Sequence, residues 1–209
     1  MLAGAGRAAL LECPAMEATE PFTRLEGIPA AELAALAGRG PLVRIRTDAR
    51  NRPRGATCLL GAAAPVERIW SGLRDLGALP QLIEMVESRH RLPAEHGQPE
   101  RVLVRLRFKI AIFSTRFDFT ASIERAEGRW LELRYLAGKV RDLLIRLELA
   151  AVDAGHSLLL CRVDFDPQSL GWLANIFIRH HPEIEWGIHA GSAVSVAQAA
   201  RQLAERPAT

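Results

Sequence analysis

The sequence predicts an α+β fold in which a curved antiparallel β-sheet of six to seven strands wraps around a long C-terminal α-helix. Five runs between residues 102 and 165 place apolar side chains at every second position, a pattern typical of a sheet with one solvated face. After residue 170 the apolar spacing becomes helical. Two short helices, each with an early proline, are expected after the first core strand at residues 56–60.

The N-terminal region precedes this pattern. Residues 1–24 lack periodicity and are expected to form a flexible arm. A short helix is expected over residues 29–36, since Pro29 suits an early helical position and Gly38 suits the end. Residues 42–47 alternate between apolar and basic side chains, which predicts a strand.

A turn and two short helices follow this strand. Asn, Pro and Gly between residues 51 and 55 predict the turn, and the strand at 56–60 comes directly after it. The helices are expected at residues 65–73 and 79–86. Because both are short, we expect them to cap the open end of the sheet.

The meander from residue 102 to 165 is the clearest structural signal. Its apolar runs are 102–112, 117–123, 131–135, 143–149 and 159–165. One face of each run is apolar and the other is largely polar, so the outer face is expected to hold cross-strand ion pairs. The charged residues of that face are Glu124, Glu132, Arg134, Arg146, Glu148, Arg162 and Asp164.

The C-terminal helix is predicted from residue 170 to 203, with a kink or break near Pro182. Two glycines, Gly187 and Gly191, lie within it together with several alanines and serines. Glycine costs about 1 kcal/mol relative to alanine inside a helix, so these positions require a reason. Either the helix packs closely on the sheet, or it leaves room for a ligand.

A strand, a helix-opening proline and an apolar–aromatic pair occur in succession near the start of this domain. The residues are Thr57, Cys58, Leu59 and Leu60, then Pro65, Ile69 and Trp70, then Leu73 and Asp75. This order resembles the opening of the SRPBCC superfamily, the helix-grip proteins that include START lipid-transfer domains, birch-pollen-allergen relatives and polyketide cyclases. The resemblance covers about residues 55–205 and implies a helix-grip ligand-binding domain over 55–206. Residues 25–54 would then form an extension with a helix and a basic hairpin.

The resemblance implies an internal cavity but no particular reaction. The apolar inner face of the sheet agrees with a hydrophobic ligand pocket. A core completely filled by side chains is the alternative. The candidate ligand-binding residues are Val104, Leu106, Phe108, Phe117, Phe119, Leu133, Tyr135, Ile145, Leu147, Cys161, Trp186, Ile188, His189 and Gly191. Tyr135 and His189 are the candidates for a catalytic role, since general acid–base chemistry needs a titratable group within reach of the substrate.

Two functions follow from this interpretation. The first is binding or transfer of a hydrophobic small molecule such as a lipid, a polyketide or an isoprenoid. The alternative is a polyketide cyclase/dehydratase-like enzyme acting on a ligand held in the same cavity, although no family catalytic residue carries over by motif. A regulatory module that docks on a partner is a third class that the residues leave open.

Composition limits the remaining classes. With 27 basic and 24 acidic residues the net charge is +3, too balanced to indicate a nucleic-acid partner. Cys13, Cys58 and Cys161 are widely spaced, which predicts neither a zinc site nor a disulfide framework and favours a reducing cytoplasm. We expect no cofactor and no metal. The apolar run at residues 8–11 is too short for a signal peptide, and no run is long enough to span a membrane.

A basic hairpin is the remaining charged feature. Its arginines are Arg44, Arg46, Arg50, Arg52 and Arg54, with Asp48 among them. Such a cluster can make a weak contact with an anionic membrane surface, but an ordinary solvated hairpin is the stronger expectation. The oligomeric state stays open.

Overall fold

The computed structural model describes residues 30–74, 86–93, 99–110 and 113–205. Within these ranges the side chains of residues 30, 31, 108–110, 113 and 173 are not described. The arm expected at residues 1–24 lies outside the described residues, as does most of the second short helix, expected at 79–86.

Eight strands form one antiparallel sheet. They are β1 (Leu42–Thr47), β2 (Pro53–Ala62), β3 (Val86–Leu92), β4 (Glu100–Ile110), β5 (Phe113–Ala126), β6 (Trp130–Gly138), β7 (Leu144–Ala151) and β8 (Ser157–Asp164). Their order across the sheet is β1-β2-β8-β7-β6-β5-β4-β3. The strands β4 to β8 are consecutive neighbours, which confirms the predicted meander.

The strand count corrects the predicted six to seven. The additional strand is β3, and it begins at Val86, where the sequence pattern predicted the end of a helix. This strand is at the sheet edge and pairs only with β4. Charged and polar side chains fill most of its length, so it lacks the apolar alternation that burial of one face imposes on a central strand.

The helices are α1 (Ala30–Ala37), α2 (Val66–Arg74), α3 (Trp172–His180) and α4 (Glu183–Glu205), with a 3₁₀ helix at Pro167–Leu170. The predicted break near Pro182 separates α3 from α4. Proline has no N–H for the helical ladder and its ring clashes with the preceding turn. Asp166 begins the 3₁₀ helix, because its carboxylate accepts a hydrogen bond from the Gln168 N–H.

The long helix α4 packs against β1, β2, β8 and α2. Its buried face is a stripe of mostly small side chains spaced three or four residues apart: His189, Ala193, Ala197, Ala200 and Ala204. These side chains let the helix axis approach one half of the sheet closely. On the outer face of the same half, Leu33 and Ala37 of α1 pack on Leu59 and Leu158.

An apolar cavity between the sheet and the C-terminal helix

A cavity of about 110 Å³ lies between the concave face of the sheet and α4. The lining is almost entirely aliphatic or aromatic, and the serine hydroxyls of α4 are its only polar side-chain groups among the described residues. The lining residues are Val86, Val104, Leu106, Phe119, Leu131, Leu133, Val140, Leu143, Ile145, Leu147, Val163, Phe165, Leu170, Ser192, Ser195 and Val196.

The cavity exists because α4 packs against only one half of the concave face of the sheet. Its alanine stripe contacts β2 and β8, while the flank carrying Ser192 and Ser195 faces the cavity. Serine side chains at these positions are too short to reach the apolar residues of β4 to β7. The space between them is therefore left without side chains, as one of the two interpretations of the small-residue helix expected.

Six of the fourteen candidate ligand-binding residues line this cavity. All six have the inward phase of their strands: Val104, Leu106, Phe119, Leu133, Ile145 and Leu147. The period-two pattern therefore identified six of the nine described lining residues that lie in strands.

Other candidates lie elsewhere. Phe117 and Cys161 are buried in the core without lining the cavity, and Ile188 packs against that core. Gly191 is exposed, and a Cβ placed on it would meet nothing within 4 Å. Phe108 lies in β4, but its side chain is outside the described part of the structure. Trp186 lines a different, polar groove.

The hydroxyl of Tyr135 forms a hydrogen bond within the protein. Its hydroxyl donates a hydrogen bond to the Gly138 carbonyl oxygen at 2.9 Å. The ring packs against the core while remaining half-buried. The hydroxyl thus contacts the end of β6 and is not part of the cavity lining.

His189 is fully buried on α4 and lies against a cavity residue. Its ring is 4.9 Å from the Phe165 ring, centroid to centroid, and Phe165 lines the cavity. Neither ring nitrogen hydrogen-bonds to a described residue. Burial, and then the positive charges of Arg46 and Arg54, lower the pKa of His189 from 6.5 to about 4. The imidazole is therefore neutral at physiological pH.

Cys58 and Cys161 are opposite each other on β2 and β8, with both side chains buried. They are free thiols. Burial raises the pKa of Cys58 to about 11, and burial together with the neighbouring Cys58 raises the pKa of Cys161. Because the thiolate is the nucleophilic form, this pair is a structural part of the core.

The outer face of the sheet holds the expected ion pairs. Arg146 contacts Glu132 at 3.2 Å and Glu148 at 2.6 Å, and its guanidinium also lies over the Trp130 ring at 4.6 Å. Glu132 is buried, with 4% of its surface exposed. In the basic hairpin, Arg46 pairs with Asp164 of β8.

The lining residues outside the candidate set fall into three groups. Strand residues such as Leu131 and Val163 have the same inward phase as the six identified residues, so the strand period was sufficient to find them. Residues of α4 such as Ser192 depend on how that helix is rotated about its axis. Val140 lies in the β6–β7 connection and Leu170 in the 3₁₀ helix, where no periodic pattern applies.

No group of three or more His, Cys, Asp or Glu side chains in the described ranges could hold a metal ion. Among the described helices, none has the length and hydropathy needed to cross a bilayer.

Solved structures share this architecture. TTHA0849 from Thermus thermophilus is 13% identical with a TM-score of 0.56, over 71% of this chain and 94% of that chain. The Zhui aromatase/cyclase from Streptomyces sp. R1128 is 18% identical with a TM-score of 0.54, over 79% and 95%. A STAR-related lipid transfer protein from Xanthomonas axonopodis is 16% identical with a TM-score of 0.51, over 79% and 96%.

No family model and no curated protein matches the sequence. The structural likenesses show the helix-grip fold of the SRPBCC superfamily. This confirms the fold that the resemblance of residues 55–205 implied. At such low identity the likenesses concern the fold alone.

Proposed function

We propose that this protein binds a hydrophobic small molecule, such as a lipid, a polyketide or an isoprenoid, in the cavity between β4–β7 and α4. The apolar lining of that cavity is the observation on which the proposal depends. Transfer of an apolar molecule from water to such a surface is favourable, and the driving force grows with the apolar area removed from water. The two hydroxyls, of Ser192 and Ser195, can orient one polar group of the ligand.

The size of the cavity adds a requirement. At about 110 Å³ it is smaller than the roughly 150 Å³ hole that binds benzene, and sites for drug-sized ligands measure ~300–1,000 Å³. A ligand of lipid size therefore enters only if part of the lining moves outward. The wall formed by Val140, Leu143 and Leu170 belongs to the β6–β7 connection and to the 3₁₀ helix, outside the strands themselves. Opening there breaks fewer backbone hydrogen bonds than separating strands does.

The names of two structural neighbours support this proposal. One is a lipid transfer protein and another an aromatase/cyclase by name. The first name refers to lipids, and the second to a reaction that closes an aromatic ring. We infer that this chain uses the same fold to enclose a ligand of that general type.

The aromatase/cyclase neighbour also supports the enzymatic alternative, a polyketide cyclase/dehydratase-like activity. A cavity can favour ring closure by holding a flexible chain in a reactive geometry. Proton transfer needs more, since a titratable group must be within hydrogen-bond reach of the substrate. Among the described lining residues the polar side chains are serines, whereas Tyr135 and His189 lie outside the lining. Binding is therefore the better supported of the two functions.

A titration with a lipophilic fluorophore tests the proposal. We expect saturable binding of about one fluorophore per chain, and native mass spectrometry of freshly purified protein should detect a co-purified lipophilic molecule. Fluorescence that rises linearly without saturation, together with a mass equal to that of the bare chain, would contradict the proposal. For the enzymatic alternative, turnover of a linear polyketide by the purified protein is the corresponding measurement.

A further inference from the structure

The short helix α3 exposes an apolar face next to the cavity wall. Trp172 is 71% exposed and Ile176, one turn later, is 45% exposed. They share a face because residues four apart on a helix are neighbours. Ala174, on the opposite side, is buried against the core. Tryptophan side chains are highly buried on average, so this exposure distinguishes the face from the rest of the described surface.

Basic side chains surround this apolar face. Arg179 and His180, about two turns after Trp172, lie on the same side of α3 and are exposed. Arg52, in the turn of the basic hairpin, lines one groove of about 540 Å³ together with Arg179. The groove is lined by Asn51, Arg52, Pro53, Gln168, Asn175, Ile178, Arg179, Pro182, Glu185 and Trp186. The hairpin turn and α3 therefore form one continuous surface.

The aspartates near the hairpin turn and α3 are paired with arginines or backbone N–H groups. Asp48 contacts Arg54 at 3.1 Å and accepts hydrogen bonds from the backbone N–H groups of Arg50 and Arg52. Asp166 contacts Arg141 at 3.0 Å.

Two glutamates complete the acidic side. Glu183 is exposed and contacts His181 at 3.1 Å. Glu185 lies in the groove, and burial raises its pKa. Three exposed arginines, Arg50, Arg52 and Arg179, outnumber these two glutamates on the surface. The surface is therefore mildly basic around an apolar centre.

This surface adjoins the side of the cavity that we expect to open. Leu170 lines the cavity and is separated from Trp172 by one residue. The backbone N–H of Arg141 donates to Ser169 Oγ at 3.0 Å, which ties the β6–β7 connection to the 3₁₀ helix ahead of α3. A partner that holds α3 is therefore in contact with the same connections that close the cavity.

We propose that Trp172, Ile176 and Arg179 of α3, with Arg50 and Arg52 of the hairpin turn, dock on a bilayer that contains anionic phospholipid. Tryptophan favours the membrane–water interface, and a short amphipathic helix can lie in it with its apolar face inserted. Arginines beside the inserted face attract lipid phosphates. The proposed ligand would then enter and leave on the membrane side, a consequence that rests on the proposed function.

The geometry favours a bilayer over a protein partner. Stable protein interfaces bury about 800 Å² on each side, whereas this apolar centre consists of two large side chains. Insertion into a lipid interface requires only a few such anchors, supported by charge. The hairpin arginines alone predicted at most a weak contact with such a membrane. The structure adds the apolar anchor beside them.

Co-sedimentation with vesicles tests the proposal, using phosphatidylcholine alone or mixed with phosphatidylserine. We expect the protein to sediment with the mixed vesicles and to stay in solution with the neutral ones. Trp172→Glu should weaken binding at least about tenfold, and the double variant Arg52→Gln/Arg179→Gln roughly twentyfold. Val152→Glu is the matched control, because Val152 is 47% exposed at the opposite end of β8. It should bind like the wild type. Added salt should weaken binding, since it screens exposed charges over ~8–10 Å.

Three outcomes would overturn the proposal: equal recovery on neutral and mixed vesicles, equal binding by Trp172→Glu and Val152→Glu, or a wild-type dimer that Trp172→Glu dissociates. The last would assign the surface to a second copy of the chain. Fluorophore titration without vesicles separates this proposal from the proposed function. Trp172→Glu should keep wild-type fluorophore affinity. If the wild type binds mixed vesicles but not the fluorophore, the ligand-binding proposal fails while the docking surface stands.

Discussion

Filling the cavity from α4 should remove ligand binding without unfolding the protein. Ser192 lines the cavity, and leucine at this position adds two heavy atoms directed into it. The neighbouring residue provides the control: Gly191 is exposed, and a Cβ there meets open space. Ser192→Leu and Gly191→Leu thus place the same side chain on adjacent residues of one helix, once inside the cavity and once outside.

The magnitude follows from the cavity volume. Filling all of the ~110 Å³ at about 24 cal/mol per Å³ would stabilise the protein by about 2.6 kcal/mol. Leucine fills only part of that space, so we expect a free energy of unfolding higher by about 1 kcal/mol. In a chain of this length that raises Tm by about 2–4 °C. Gly191→Leu also stabilises, by up to about 0.8 kcal/mol, because leucine favours helix more than glycine does.

Ligand affinity therefore distinguishes the two variants better than stability does. A ligand that must share the cavity with the leucine of the Ser192→Leu variant meets an overpacked site, which costs about 1–3 kcal/mol. Fluorophore titration should show at least about a tenfold loss of affinity for Ser192→Leu and no change for Gly191→Leu. Urea denaturation confirms that both variants are folded.

Equal fluorophore affinity in the two variants would refute this reasoning, because it would place the ligand away from α4. A Ser192→Leu protein several degrees less stable than the wild type would also refute it. That result would mean that the space beside Ser192 is already filled.

Three further predictions concern buried and paired side chains. His189 takes up a proton near pH 6.5 in the unfolded chain but only near pH 4 in the folded protein. The free energy of unfolding should therefore fall as the pH drops through this window. His189→Gln should remove about 3 kcal/mol of that decline, as measured by urea denaturation at several pH values. Glu132→Ala removes the buried carboxylate that Arg134 and Arg146 share and leaves Arg146 paired with Glu148 alone, so it should destabilise by about 2 kcal/mol. The exposed Glu124→Ala should change stability by less than about 0.5 kcal/mol, and equal effects would contradict the buried network. Tyr135→Phe removes the hydrogen bond to Gly138 and should lower the free energy of unfolding by at most about 1 kcal/mol, with fluorophore affinity unchanged. A large loss of affinity would instead show that the Tyr135 hydroxyl contacts the ligand.

The strands could be predicted wherever one face is buried. Residues of β4 to β8 alternate because the concave face packs on the cavity and α4 while the outer face meets water. The edge strand β3 has no such constraint, and its polar residues conceal it. Pro182 located the break between α3 and α4 for a covalent reason, since proline has no N–H to donate.

The candidate site was only partly predictable. Strand period determines which side chains face inward, and it identified residues such as Phe119 and Leu133. The rotation of α4 about its axis depends instead on how Ala193 and Ala197 pack on the sheet, which no local pattern encodes. For this reason Ser192 rather than Gly191 faces the cavity. The surface formed by α3 and the hairpin turn joins residues more than one hundred positions apart, and only the fold brings them together.

A crystal structure with a bromine-labelled fatty acid tests the central claim most directly, because anomalous scattering locates the bromine independently of the protein. We predict a bromine peak between α4 and β4–β7, within contact distance, about 4 Å, of Ser192 or Leu133. The wall of Val140 and Leu170 should be displaced outward in the same crystal. A bromine peak confined to the protein surface, with the cavity still closed at its present volume, would contradict the account.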